Sequence, residues 1–283
     1  MTTAEITIAR EMRLKSLVAF WALAFLVSWG AGTLVAVSNQ GALVNGVHVQ
    51  SGALPMPFAV ALVLLLISGS GPGIAAITVC VVDSQFGGVR SLLAQVLDWR
   101  TWPGWYVVAL LLPTLLTLLA TGIWAAATGA RPPRWFPLPT LFQLAALAIF
   151  PWGEEIGWRG FAMPRLQTGL RWLPASLIVG VMWGVWHQWP LLTPAASGFD
   201  LPGLAVFFVY IVSDSVLIGW AYERSGRKLP LGWAGHAGLN AVGPTAAPFG
   251  LVAVALAAAA LALAAFGDRG AGVASRSRRP PNA

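Results

Sequence analysis

The chain has 283 residues, of which 57% are hydrophobic and only 10% are charged. A soluble domain carries roughly 25% charged residues, so this composition excludes a soluble globular fold and indicates a membrane protein. The net charge of +7 does not indicate a nucleic-acid partner, because no basic face is interleaved with exposed aromatic residues. The single cysteine, Cys80, excludes an intrachain disulfide and any multi-cysteine metal site.

Apolar stretches of the length that crosses a bilayer as a helix recur along the whole chain. The first runs from Leu17 to about Val37 and exceeds the roughly 7–15-residue core of a secretory signal, so we expect an uncleaved span. The second covers about 54–82, with a Ser-Gly-Ser-Gly-Pro-Gly break at 68–73 whose freed backbone groups need partners from other helices or water. Further spans are predicted at about 103–127, 138–158, 173–190, 202–222, 231–247 and 249–266.

The distribution of basic residues supports this count of eight spans. With the N-terminus in the cytoplasm, the outer loops hold only Arg131 and Arg134. The inner segments then hold fourteen basic residues, which are Arg10, Arg13, Lys15, Arg90, Arg100, Arg165, Arg171, Arg224, Arg227, Lys228, Arg269, Arg276, Arg278 and Arg279. This asymmetry follows the positive-inside rule. The sequence therefore predicts an all-α membrane protein of about eight transmembrane helices with both termini cytoplasmic.

We expect three parts that together form one integral membrane domain. Residues 1–136 contain the first membrane spans, residues 137–267 form a helical core that carries most of the buried polar residues, and residues 268–283 form a basic tail. The tail is rich in Arg, Gly and Pro, which predicts disorder. Two lysines against fifteen arginines favour a GC-rich prokaryotic genome, and hence a multi-pass protein of the prokaryotic plasma membrane.

Few ionisable residues lie at membrane depth, and each is expensive there. A charged side chain at the centre of a membrane helix costs about 2.5–3.5 kcal/mol, so it persists when it is paired or when it does chemistry. The set consists of Glu154, Glu155, Arg159, His187, Asp214 and His236. No role is predicted for Asp214.

The two adjacent glutamates are expected to differ in function. Glu155 and Arg159 stand at i and i+4, so they can pair along one helix face. Glu154 lies about 100° away around the helix and has no evident partner within it, which makes it a candidate general base. The alternative is that all three residues form one buried salt-bridge cluster.

Two later spans contribute the histidines. Trp183, Trp186 and Trp189 recur every third residue beside His187, which is typical of a packed helix face, although a substrate-binding stripe is the alternative. His236 and Asn240 stand at i and i+4 and share a face. Two His and one Glu can hold a zinc ion with an open fourth position, so His187, His236 and Glu154 are candidate metal ligands. The same residues can also orient a water molecule without a metal.

These motifs resemble those of the CPBP family, which comprises the type II CAAX prenyl endopeptidases and the bacteriocin-processing, Abi-type membrane proteins. The resemblance rests on Glu154-Glu155-x-x-x-Arg159, Trp183-x-x-x-His187 and His236-x-x-x-Asn240, and on the text that flanks them, over roughly residues 140–245. One departure is visible, because the second motif of the family usually has Phe where Trp183 stands. The first 130 residues match only as generic membrane spans.

The resemblance implies an eight-helix intramembrane endopeptidase that acts on a membrane-bound or lipidated peptide or protein among membrane lipids. Glu154 would activate the water, Glu155 and Arg159 would support it, and Asn240 would stabilise the oxyanion. His187 and His236 would bind the water or a zinc ion, and the choice between a metal and a metal-free water stays open. Two other classes are a non-proteolytic immunity or scaffold protein of the Abi type and a transporter. A transporter is less favoured because no internal repeat is visible.

Overall fold

The computed structural model describes residues 3–41, 54–130, 149–189, 200–241 and 248–266, and for residues 3–10 and 84–87 it describes the backbone alone. Every regular element within these ranges is a helix, apart from a single parallel bridge between Ser38 and Leu54. The predicted all-α class is therefore confirmed. His48, Arg131 and Arg134 lie outside the described residues, and so does the tail after Phe266.

Nine helical segments follow one another along the described residues. The fifth, α5, occupies 149–166 and is continuous, with a π-helix at Ile156–Ala162 and a short α-helix at Met163–Leu166. The other segments are α1 Thr3–Ala36, α2 Phe58–Gly69, α3 Gly71–Val96, α4 Gly104–Thr128, α6 Trp172–Trp186, α7 Leu201–Arg224, α8 Leu229–Ala241 and α9 Phe249–Phe266.

Most described helices agree in position with the predicted spans, but α3 continues to Val96 and α5 to Leu166, beyond the predicted ends at 82 and 158. Residues 138–148 and 242–247 of the predicted spans lie outside the described residues. Four described helices are long and apolar enough to cross a membrane, and a fifth span results if α2 and α3 are counted together. The chain is therefore a multi-pass membrane protein. Helices α6 and α8 have 15 and 13 residues, or about 22 and 20 Å, which is less than the roughly 30 Å of a hydrocarbon core. Eight spans and cytoplasmic termini stay predictions.

The predicted interruption of the second span is a break between α2 and α3. The two helices meet at Ser70 and are bent by 66°. The Ser70 amide still donates to the Leu66 carbonyl, at 3.0 Å, and Pro72 occupies the first turn of α3, where its missing N–H costs no helix hydrogen bond. The break places the start of α3 directly against α5.

Glycines bring α3 and α5 into backbone contact at this break. A Cβ atom on Gly73 would lie 2.6 Å from the carbonyl oxygen of Gly153, and one on Gly157 would lie 2.6 Å from backbone atoms of Pro72. Small residues allow such close approach between membrane helices. Because Gly153 immediately precedes Glu154, this contact fixes the part of α5 that carries the two glutamates.

The remaining helices enclose α5 from the other side. Helix α6 packs on α7, α7 packs on α8 and α9, and α4 packs on α8. A buried apolar cluster joins α1, α3, α5 and α6, in which Phe20 contacts Trp158 and Phe161 at ring-centroid distances of 5.6 and 5.0 Å. The site residues therefore lie among helices from both halves of the chain.

An ion pair outside the spans holds the start of α8 to the loop before α4. Lys228 Nζ donates to Asp98 Oδ2 at 2.6 Å, and this hydrogen bond lowers the pKa of the Asp98 carboxyl. The turn that presents Lys228 reverses the chain through positive φ angles of 83° at Gly226 and 64° at Arg227. The turn and the ion pair together set where the helix bearing His236 begins.

We predict that Gly73→Ala lowers the free energy of unfolding by about 1–3 kcal/mol, as overpacking of a close contact does. The added methyl group meets the Gly153 carbonyl oxygen, which is backbone and cannot rotate away. The measurement is the apparent midpoint of thermal unfolding in detergent micelles. Gly30→Ala is the control, because nothing lies within 4 Å of its Cβ position. Equal midpoints for both variants would contradict the proposed role of the contact.

Candidate active site

The helix α5 changes its hydrogen-bonding pattern immediately after the two glutamates. Residues 149–155 are α-helical, and the π-helix Ile156–Ala162 begins at the next residue. A π-helix bonds residue i to i+5, is rare, and is frequent at functional sites. Glu154 and Glu155 thus stand in the last α-helical turn, while Arg159 stands inside the wider π-helical turn.

Glu155 and Arg159 form the predicted ion pair, and both are fully buried. Arg159 Nη1 donates to Glu155 Oε1 at 2.7 Å, which confirms the pairing at i and i+4. Arg159 Nη2 donates to the Ser215 hydroxyl on α7 at 3.1 Å, and that hydroxyl donates to the Ser176 carbonyl on α6 at 2.9 Å. The ion pair therefore joins three helices, and the two charges neutralise each other, while Glu155 Oε2 has no hydrogen-bond partner among the described residues.

Glu154 lies outside this ion pair, as one of the two predicted arrangements required. Its nearest donor is the indole of Trp183 on α6, whose Nε1 donates to Glu154 Oε2 at 2.6 Å. Both residues are buried, with exposed fractions of 5% for Glu154 and 1% for Trp183. The alternative of a single salt-bridge cluster of Glu154, Glu155 and Arg159 is not what the structure shows.

His236 on α8 lies between the two glutamates. Its Nδ1 is 3.1 Å from Glu155 Oε1, and its Nε2 is 4.0 Å from Glu154 Oε1. A carboxylate only accepts hydrogen bonds, so Nδ1 carries the hydrogen and Nε2 of the neutral ring keeps its lone pair. Gly232, one turn earlier on α8, permits this approach, because a Cβ atom there would lie 2.8 Å from Glu155 Oε2.

His187 caps the C-terminal end of α6 and is partly exposed. Its Nδ1 is 2.9 Å from the carbonyl oxygen of Trp183. A carbonyl also only accepts, so the same reasoning leaves the lone pair on Nε2. The imidazole packs edge-on against Trp186 and Phe207 of α7, at centroid distances of 4.8 and 5.7 Å. In their neutral forms, both imidazoles of the site therefore present the lone pair of Nε2.

The Trp183 ring contacts the rings of both histidines. That ring lies 5.7 Å from the His187 ring and 4.8 Å from the His236 ring, measured between centroids. Asn240 follows His236 by one turn on α8 and, in contrast to His236, is exposed. Its role in stabilising an oxyanion stays a prediction.

The predicted zinc site requires three donor side chains close to one another. Within the described ranges, no three His, Cys, Asp or Glu side chains are grouped as a metal site would need. Glu154 and His236 approach each other, but the lone-pair nitrogen of His187 does not complete a three-donor group with them. The donors therefore do not fit a zinc ion in this conformation, and no chemical step is assigned to a metal.

Comparison with known proteins gives one family match and one curated relative. Residues 133–242 match the family model "Type II CAAX prenyl endopeptidase Rce1-like". The same part of the chain contains Glu154, Glu155, Arg159, His187, His236 and Asn240. This part of the chain is therefore similar to the Rce1-like family. The predicted CPBP resemblance is thereby confirmed.

A curated relative supports the same assignment. The chain is 27% identical over 108 residues to the CAAX prenyl protease 2 of Methanococcus maripaludis. The aligned part covers 36% of this chain and 39% of that relative. The alignment therefore leaves more than half of this chain and more than half of that relative unmatched.

Two features of this Rce1-like region were not predicted from the sequence. Ser215 supports Arg159 from a different helix, and a serine in an apolar helix carries no signal that identifies such a partner. The hydrogen bond from Trp183 to Glu154 was also missed, although the replacement of the usual Phe by Trp was visible. The structure shows that this replacement adds a hydrogen-bond donor.

Asp214 on α7 is fully buried, and neither carboxyl oxygen has a hydrogen-bond partner among the described residues. The charged groups that act on it are His236, Arg159 and Glu155, so it adjoins the site. A buried acceptor without a donor costs about 1–3 kcal/mol. The buried Asp214 carboxyl thus lowers the free energy of unfolding beside the candidate site.

We predict that Asp214→Asn raises the apparent midpoint of thermal unfolding in detergent micelles. The amide keeps the shape of the side chain and removes the cost of an ionisable group that has no donor. Asp200→Asn at the N-cap of α7 is the matched control, and it should leave the midpoint nearly unchanged, because Asn can also accept the hydrogen bond that the Gly203 amide donates to Asp200 at 3.0 Å. A lower midpoint for Asp214→Asn would contradict this account.

Proposed function

We propose that the protein is an intramembrane endopeptidase that uses Glu154 to activate a water molecule. The observation that carries the proposal is the 4.0 Å separation of Glu154 Oε1 and His236 Nε2, two acceptors that face each other in a buried site. A polar separation of more than 3.5 Å between such groups suits a bridging water. The match of residues 133–242 to the Rce1-like family model supports the same reaction class.

The proposed reaction begins with one water molecule that donates hydrogen bonds to Glu154 and His236. Glu154 takes a proton from this water as general base, and the hydroxide adds to the scissile carbonyl carbon. The resulting oxyanion is stabilised by donors on the open side of the site, where Asn240 is exposed on the helix that carries His236. The C–N bond then breaks, and the proton held by Glu154 passes to the leaving amine.

Glu155 and Arg159 act in this proposal by orienting His236 and not by contact with the substrate. Glu155 accepts from His236 Nδ1 and from Arg159 at the same oxygen. This arrangement fixes the imidazole so that Nε2 faces Glu154, as carboxylates behind catalytic histidines do. His187 presents a second Nε2 at the partly exposed end of α6, where the water or the substrate can enter.

The proposed substrate is a peptide or protein held at the membrane by lipid or by a helix. A site among membrane helices is reached most directly by a substrate that is already in the bilayer. The relative from Methanococcus maripaludis is named a CAAX prenyl protease, which makes a prenylated C-terminus the first substrate to test. The archaeal source of that relative also supports our assignment of this chain to a prokaryotic plasma membrane.

A non-proteolytic scaffold of the Abi type has less support. A scaffold does not require an acid such as Glu154, which is buried outside the ion pair and accepts one hydrogen bond from Trp183. It should also keep its phenotype when Glu154→Ala is combined with His236→Ala. Loss of the phenotype in this double variant, with normal expression, would exclude the scaffold.

We predict that Glu154→Gln abolishes peptide hydrolysis, with a loss of at least about 10³-fold, because the water loses its base. The measurement uses the purified protein in proteoliposomes and fluorescent peptides anchored by a farnesyl group, an acyl chain or a transmembrane helix. The melting midpoint should change little, since Gln can still accept from Trp183. Hydrolysis by Glu154→Gln at the wild-type rate would refute this mechanism.

Two further variants serve as controls for that experiment. Glu223→Gln, in the pair that Glu223 forms with Arg227 outside the site, should retain full activity. Glu155→Gln should lower activity less than Glu154→Gln and should lower the melting midpoint more, because it leaves the buried Arg159 without its counter-charge. A reversed order of the two glutamates would assign the base to Glu155.

A further inference from the structure

Trp183 contacts four ionisable residues of the candidate site. Its indole Nε1 donates to Glu154, and its carbonyl accepts from His187. The guanidinium carbon of Arg159 lies 5.1 Å from the centre of its ring, within the range of a cation–π contact. The His236 ring packs against it at 4.8 Å in a T-shaped arrangement. No other side chain among the described residues is shown in contact with all four.

We propose that Trp183 is a positioning residue that holds Glu154 in the orientation that hydrolysis requires. This inference rests on the proposed function of the site and adds a residue to it. The indole N–H binds one carboxyl oxygen, Oε2, and thereby directs the other, Oε1, towards His236 Nε2. The terminal torsion of a glutamate is broad, so a carboxylate without this donor turns freely.

The strength of this contact follows from its geometry and its surroundings. The distance of 2.6 Å lies within hydrogen-bonding range, and hydrogen bonds to charged acceptors are shorter than those between neutral groups. Both partners are buried, so water does not compete for the donor or the acceptor. Hydrogen bonds to charged groups are stronger than those between neutral groups. The hydrogen bond from the indole therefore restricts the orientation of the Glu154 carboxylate.

The contact also depends on tryptophan specifically. Phenylalanine, the usual residue at this position of the motif in the CPBP family, can fill the space and pack against His236, but it has no N–H to donate. A chain with Phe there must orient its glutamate by other means. In this chain Trp183 both orients Glu154 through its indole and binds the His187 ring through its backbone carbonyl. A shift of α6 would therefore displace both residues.

The first test compares Trp183→Phe with Trp158→Phe in the hydrolysis assay. We expect Trp183→Phe to lower kcat about ten-fold or more while KM changes less than about two-fold, because the donor acts on the base and not on substrate affinity. Trp158 is the matched control. It is equally buried, and its indole nitrogen has no partner among the described residues, so Trp158→Phe should keep kcat within about two-fold.

A structural role would give a different pattern. If Trp183 served only as packing, then Phe, which retains the ring, would change kcat no more than the Trp158 control does. That result would overturn the inference and would leave the proposed function intact. A fall in kcat for both variants together with a lower melting midpoint for both would overturn it as well, because general loss of packing would then explain the effect.

The second test measures the hydrogen bond without any substrate. The indole ¹H–¹⁵N signal that Trp183→Phe removes identifies Trp183 in the full-length protein in nanodiscs. We expect this proton to resonate downfield, and to move upfield in Glu154→Gln, where the acceptor is neutral, but not in Glu223→Gln. An unchanged signal in Glu154→Gln would overturn the inference. A moving signal in a protein that hydrolyses none of the peptides would refute the proposed function and retain the contact.

Discussion

The buried ion pair between Glu155 and Arg159 is the interaction on which the rest of the site depends. An isolated charge in a membrane interior is expensive, so the arginine must be matched, and the matching carboxylate comes from the preceding helical turn at 2.7 Å. Arg159 also donates a hydrogen bond to Ser215 on α7, and Glu155 accepts one from His236 on α8. Three helices are thereby fixed around one charge-neutral centre, and Glu154 is left free of that centre.

The helix that carries this pair is itself held by backbone contact. Glycines let the start of α3 meet α5 at residues 153 and 157, and the broken α2–α3 junction supplies the surface that α5 meets. The π-helical turn that follows Glu155 gives the chain a wider turn beneath Arg159. The position of Glu154 therefore depends on a sequence break more than 80 residues earlier and on the change of helix type beside it.

Much of this could be predicted from residue pattern, since the relevant signals are local. The break at 68–73 was visible as a run of Gly, Ser and Pro, and the pairing of Glu155 with Arg159 followed from their spacing. The hydrogen bond from Trp183 and the support from Ser215 depend on tertiary contact between helices, which spacing does not encode. The π-helix was not predicted, because Ile156–Ala162 contains nothing that distinguishes it from an α-helical sequence. The unpartnered carboxyl of Asp214 also needed coordinates, because burial alone does not reveal the absence of donors.

The central claim is that Glu154 activates water and does not itself attack the substrate. Single-turnover hydrolysis in H₂¹⁸O, with excess unlabelled protein and a membrane-anchored peptide, tests this directly by mass spectrometry of the product and of the peptide that contains Glu154. We expect one ¹⁸O atom in the new carboxyl group of the product and none in Glu154. An unlabelled product together with ¹⁸O in the Glu154 carboxyl would show that this glutamate is a nucleophile and would contradict the account.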